Sequence, residues 1–95
     1  MTEMRLLAPT GMLGTAFSPA AFETGLSWDP HLISCDAGST DSGPAYLATG
    51  ISKYSRQATK RDLALLMRAR ERGQVPLLIG SCGTSGCDQA VDWTL

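Results

Sequence analysis

The chain has 95 residues, of which 43% are hydrophobic and 18% charged, and its formal net charge is −1. These proportions are typical of one small globular domain, and the balanced charge argues against a nucleic-acid partner. No apolar run is long enough to span a membrane, and the first residues lack a secretory signal, so we expect no membrane partner. Three cysteines without a disulfide spacing favour a reducing compartment, and the predicted localisation is cytoplasmic.

The first half of the chain predicts two strands with a helix between them. An apolar run places a first strand near residues 4–8. Ser18 followed by Pro19 is typical of a helix start, and the helix should end near Gly25. A second apolar run, residues 32–36, is too short for a helix and is cut off by turn formers, which predicts a buried strand.

A long loop and a second helix should follow. Residues 37–57 show no clear period, although the segment around Tyr46 has room for a turn or two of helix. Long loops inside compact domains are often functional. Thr59 with Asp62 resembles a capping box and predicts a helix start, and Gly73 should end that helix in the left-handed conformation.

The last third of the chain predicts a strand, a turn and another helix. Residues 75–79 are apolar without alternation, as expected for a central parallel strand. The glycine-rich segment 80–86 is predicted as a turn, and Asp88 as the cap of a helix that is still in progress at Leu95. We therefore expect residues 1–95 to be the N-terminal part of a larger α/β domain, truncated at Leu95. The remainder of that longer chain is then a partner, and exposed apolar surface also allows a homo-oligomer.

The order β-α-β-α-β-α predicts an incomplete Rossmann-like, three-layer α/β fold with a parallel sheet and right-handed crossovers. Each strand then opens into a loop of small polar residues, and ligands of such sheets bind outside the carboxyl ends of the strands. Glycines in these loops let backbone amides approach a ligand. The candidate ligand-binding residues are Thr10, Gly11, Asp36, Gly38, Ser39, Thr40, Asp41, Ser81, Gly83, Thr84 and Ser85.

Asp36 and Asp41 are the candidate catalytic residues. Either carboxylate can bind a substrate hydroxyl, hold a divalent cation or act as a base, and the structural alternative is helix capping and loop bracing. The sequence does not separate these uses. No metal site is predicted, because Cys82-x4-Cys87 is not a common zinc spacing and no histidine lies near it. Cys82 is a possible nucleophile, and a buried or incidental thiol is the alternative.

Three stretches of the chain, residues 5–14, 36–44 and 76–86, resemble the N-terminal part of the acyclic terpene utilisation (AtuA-like) family. This resemblance implies a cytoplasmic catabolic protein that acts on acyclic terpenes or other small organic acids, and it implies no particular reaction or catalytic residue. A second, local resemblance is to the first phosphate loop of actin-like ATPases and sugar kinases, carried by residues 36–40. It implies an alternative function, a phosphate- or nucleotide-binding segment of a protein of that type.

From these features we expect a small-molecule substrate bound at the strand ends. An enzyme is favoured over the alternative, a non-catalytic metabolite-binding subunit. The sequence predicts no particular cofactor and no reaction class.

Overall fold

The structure is a computed structural model that describes residues 2–38 and 42–95. Its elements, in chain order, are β1 (Leu6–Leu7), α1 (Pro19–Leu26), β2 (Leu32–Gly38), α2 (Gly43–Thr49), α3 (Arg56–Gly73), β3 (Leu77–Thr84) and α4 (Asp88–Thr94). The strands form one sheet in the order β1-β2-β3, and both pairings are parallel. The predicted α/β class with a parallel sheet is confirmed, and these elements form an incomplete Rossmann-like fold.

One face of the sheet carries the hydrophobic core. Ile33, Cys35 and Ala37 alternate along β2 and are buried in one cluster with Phe22 of α1 and Leu66 of α3. Right-handed crossovers that advance in the same direction along a sheet place their helices on the same face. Both α1 and α3 therefore cover this side of the sheet.

The opposite face of the sheet is open within the described residues. Leu6 of β1 and Leu78 of β3 are 60% and 59% exposed there. The strand predicted at residues 75–79 is present as β3, but the prediction that it is the central strand is wrong. The central strand is β2, while β3 lies at an edge and begins by alternating between partly buried and exposed residues. The alternation follows because helices cover only one face of this strand.

Helix α1 begins as predicted. The Ser18 hydroxyl accepts a hydrogen bond from the Ala21 amide at 3.2 Å, and Pro19 stands in the first turn. Gly25, near the helix end, lies against Leu7 so closely that a Cβ atom would come within 2.6 Å of the leucine side chain. This glycine therefore allows α1 to pack onto β1.

The last residue of α3 is Gly73 as predicted, but the predicted start of the helix and the predicted left-handed residue are wrong. The cap is Ser55, whose hydroxyl accepts from the Ala58 amide at 3.1 Å, and not Thr59. At the other end Gly73 is still helical, and Gln74 takes the left-handed conformation with φ 52°. The Gln74 side-chain amide donates to the Glu71 carbonyl at 2.7 Å, which supplies a local partner that glycine lacks.

The predicted turn at residues 80–86 is also different in the structure, because β3 continues to Thr84. Its partners on β2 explain the change. Asp36 pairs with Gly80 and Gly38 pairs with Thr84, so β2 advances by two residues while β3 advances by four. The excess residues form a bulge in β3. After it, the cap residue of α4 is Cys87 and not the predicted Asp88.

Candidate functional site

A shallow groove lies where the carboxyl ends of the strands meet. One part of it, about 560 Å³, runs over the open sheet face, and a second part, about 400 Å³, runs toward α2. Both parts include Asp36 and Ser81, and we call the two together the Asp36 groove. The sheet-face part is further lined by Ala8, Thr10, Gly11, Ser34, Cys35, Leu78 and Gly80. The α2 part is further lined by Gly43, Pro44, Leu47, Thr84 and Ser85.

Asp36 holds the centre of the groove. Its side chain is exposed, and its Oδ1 accepts a hydrogen bond from the Gly38 amide at 2.8 Å. Within residues 2–38 and 42–95, no basic side chain forms an ion pair with this carboxylate and Oδ2 has no hydrogen-bond partner. Of the two roles that the sequence left open, the structure shows the bracing one, in which Oδ1 holds the strand end. The ligand-binding role stays a prediction.

The loop after β1 is fixed beside Asp36 by two anchors. The Leu13 amide donates to the Asp36 carbonyl at 2.7 Å. On the other side, Oδ2 of Asp62 accepts from the amides of Gly14 and Ala16 at 2.8 and 3.0 Å. These contacts position Thr10 and Gly11 on the groove wall.

Asp62 is the residue of this region that the sequence interpretation missed. It was assigned to a capping box, whereas its side chain is 1% exposed and lies on the buried stripe of α3 with Leu66 and Ala69. The exposed Arg61 donates to its other oxygen, Oδ1, at 3.1 Å. An acid in helical register with buried apolar residues was the available signal, because such a carboxylate needs hydrogen-bond donors.

The bulge in β3 brings Ser81 to the groove. Ser81 and Thr84 adopt φ values of 54° and 81°, in the left-handed region that non-glycine residues rarely occupy. Such conformations cost on the order of 1–3 kcal/mol each and persist only where the surrounding structure enforces them. Gly38 allows the bulge to pack against β2, because a Cβ at that position would collide with the Thr84 carbonyl and lie 2.6 Å from the Ser81 Cβ.

Three of the predicted ligand-binding residues have structural roles in the described chain. Gly38 allows the close approach just described, and Gly83 lies against Ala90 of α4, which a Cβ would approach to 2.6 Å. Thr84 is 2% exposed, and its hydroxyl accepts from the Lys53 amide at 2.8 Å. Ser39, Thr40 and Asp41 lie outside the described residues, so their predicted roles stay predictions.

The three cysteines are free thiols, and Cys35 is the one that lines the groove. Burial, together with the neighbouring Asp36 carboxylate, raises the pKa of Cys35 to about 11. Cys82 is partly buried and its thiol contacts the Ile79 carbonyl at 3.7 Å. The Ser85 hydroxyl donates to Cys87 Sγ at 3.3 Å and, with the Ala90 amide, lowers the pKa of that thiol. Among the described residues, no group of three His, Cys, Asp or Glu side chains is placed to hold a metal ion.

A second cavity, about 480 Å³, lies at the opposite edge of the sheet between the ends of α1 and α3. Four of the residues that line it are already paired with one another. Arg72 pairs with Glu23 at 2.8 Å, and His31 Nδ1 accepts from the Arg5 amide at 2.9 Å. Ligands of parallel sheets bind at the carboxyl edge, and the Asp36 groove lies at that edge. The Asp36 groove is therefore the candidate site.

Comparisons of the chain with protein-family models, with curated proteins and with solved structures gave no significant match. Among the helices of the described chain, none combines the length and the apolar character needed to cross a membrane.

Proposed function

We propose that this chain binds a small organic metabolite in the Asp36 groove, as part of a cytoplasmic catabolic protein of the acyclic terpene utilisation type. The observation that carries the proposal is the Asp36 carboxylate. It is held at a strand end through one oxygen and offers the other to a groove at the carboxyl ends of parallel strands. The resemblance of residues 5–14, 36–44 and 76–86 to that family supports the catabolic assignment.

The groove also offers the means for a reaction. A positioned carboxylate can accept a proton from a bound hydroxyl, provided that the hydroxyl oxygen lies within hydrogen-bond reach. Ser81 borders both parts of the groove beside Asp36 and can hold a second polar atom of the ligand. We propose Asp36 as the group that contacts the reacting hydroxyl, and Asp41 stays a further candidate.

The phosphate-binding alternative has less support. In the actin-like ATPases and sugar kinases, the motif resembled by residues 36–40 joins two strands of a hairpin. Here β2 pairs in parallel with both of its neighbours, and α2 is the next described element. Within the described chain, no Lys, Arg or His side chain lines the groove. Phosphates are usually bound with the help of such cations.

The test is a binding screen that is read residue by residue. Amide spectra of ¹⁵N-labelled protein are recorded with a set of small organic metabolites that includes acyclic terpenoids. We expect a ligand to shift the amides of Gly11, Gly80 and Ser81 in a saturable manner. Asp36→Asn should weaken that ligand at least tenfold, because it removes the charge and keeps an oxygen for the Gly38 amide.

Asp92→Asn is the matched control, since Asp92 is exposed on α4 and its loss changes the net charge equally. This variant should bind the ligand as the parent chain does. If the shifts cluster elsewhere, or if both variants weaken binding equally, the Asp36 groove is not the binding site.

A further inference from the structure

The polar centre of the groove accepts hydrogen bonds and carries negative charge. Asp36 is a carboxylate, and its Oδ2 has no partner in the described part of the chain. An ionised carboxylate accepts hydrogen bonds and donates none. A ligand group placed against Asp36 must therefore be a donor.

The rest of the groove does not compensate this charge. The described residues that line it include no Lys, Arg or His, and the only other polar side chains are hydroxyls and the Cys35 thiol. A ligand carboxylate or phosphate at this position would face Asp36 without a cation between the two anions. Like charges at such close range repel, most strongly where water is displaced.

Apolar side chains border Asp36 on both sides. Ala8 and Leu78 lie on the sheet-face side, and Pro44 and Leu47 lie on the α2 side. Leu78 and Leu47 are each 59% exposed, so both leave apolar surface for a ligand to cover. This arrangement suits a molecule with an apolar body and one polar head.

We infer that the ligand of the Asp36 groove is a largely apolar molecule whose head is a hydroxyl or an amino group, and not an acid or a phosphate. This inference rests on the proposed function, since it assumes that the groove binds a small molecule. It narrows the ligand class, because the family resemblance allowed small organic acids as well.

Three probes with the same apolar body and different heads test the inference: octan-1-ol, octan-1-amine and octanoate. Each is titrated at neutral pH into the ¹⁵N-labelled chain, and the shifts of the Gly80 and Ser81 amides are followed. We expect the amine and the alcohol to bind, and octanoate to bind at least tenfold more weakly than the amine. In Asp36→Asn the difference between amine and octanoate should fall to less than threefold.

Asp92→Asn separates a local effect from the effect of overall charge, because it removes one negative charge elsewhere. It should keep the tenfold preference for the amine. Octanoate binding as tightly as the amine to the parent chain would overturn the inference, and so would a preference that survives in Asp36→Asn. If all three probes bind the groove equally, the groove remains a binding site and only the head-group assignment fails. If none of the probes shifts the groove amides, both proposals fail together.

Discussion

Replacing Asp62 with alanine should loosen the loop beside the groove and destabilise the whole chain. Asp62 is 1% exposed and accepts two amide hydrogen bonds from the loop after β1. In the Asp62→Ala variant, the amides of Gly14 and Ala16 lose their acceptor. Arg61 also loses its partner, but this residue is exposed and water can replace the contact.

The expected loss follows from these contacts. A hydrogen bond to a charged group contributes about 1.5–3 kcal/mol, and a buried amide without a partner adds its own desolvation penalty. The two bonds together should account for about 3–6 kcal/mol, while the exposed Arg61 contact adds little. A chain of this size has a total stability of about 5–14 kcal/mol, so the variant should lose a large share of it.

Urea unfolding followed by circular dichroism measures this loss. The midpoint should fall with little change in slope, and in a thermal melt the Tm should drop by at least roughly 12 °C. Asp62→Asn should have a smaller effect, since its carbonyl oxygen can take the place of Oδ2 and accept from both amides. Asp92→Ala removes an exposed acid and should change stability by less than about 0.5 kcal/mol.

An Asp62→Ala variant with a Tm within about 3 °C of the parent chain would refute the reasoning. Such a result would mean that water or another side chain satisfies the loop amides equally well. It would also remove the link between α3 and the position of the groove wall.

Three further changes test the packing around the site. Gly38→Ala should lower the free energy of unfolding by more than about 2 kcal/mol in urea, because the new Cβ would meet β3. The control Gly43→Ala places its Cβ in open space and should be nearly neutral, so equal effects of the two changes would contradict the close approach. The free energy of unfolding should fall by about 1–2 kcal/mol as the pH rises from 9 to 11, because the folded chain holds the Cys35 proton more tightly than the unfolded chain does. A Cys35→Ala variant whose stability falls with the same slope in pH-dependent unfolding would argue against this origin. Ser55→Ala should lower the free energy of unfolding by about 1 kcal/mol, because α3 loses its N-terminal cap, and the control Gln57→Ala in the same first turn should not. If Ser55→Ala leaves the free energy of unfolding unchanged, Ser55 is not the cap.

Local patterns in the sequence were sufficient to predict much of the fold. Alternation of apolar runs with helical segments predicted the parallel α/β order, and Ser18 with Pro19 predicted the start of α1. Asp36 was predicted as the centre of the site, because an acid at a strand end followed by small residues is visible in a few consecutive positions. These features depend on near neighbours in the chain, and they are therefore readable without the tertiary structure.

The tertiary structure decided which face of the sheet is covered and what each polar residue contacts. Leu78 was expected inside a covered central strand, but it borders an open groove because both crossover helices lie on the other face. Asp62 was read as a helix cap, but it binds amides 46 and 48 residues away in the sequence. The bulge that presents Ser81 depends on Gly38 from another strand. Contacts between distant segments form only when the chain folds, and the sequence pattern around any one of these residues does not contain them.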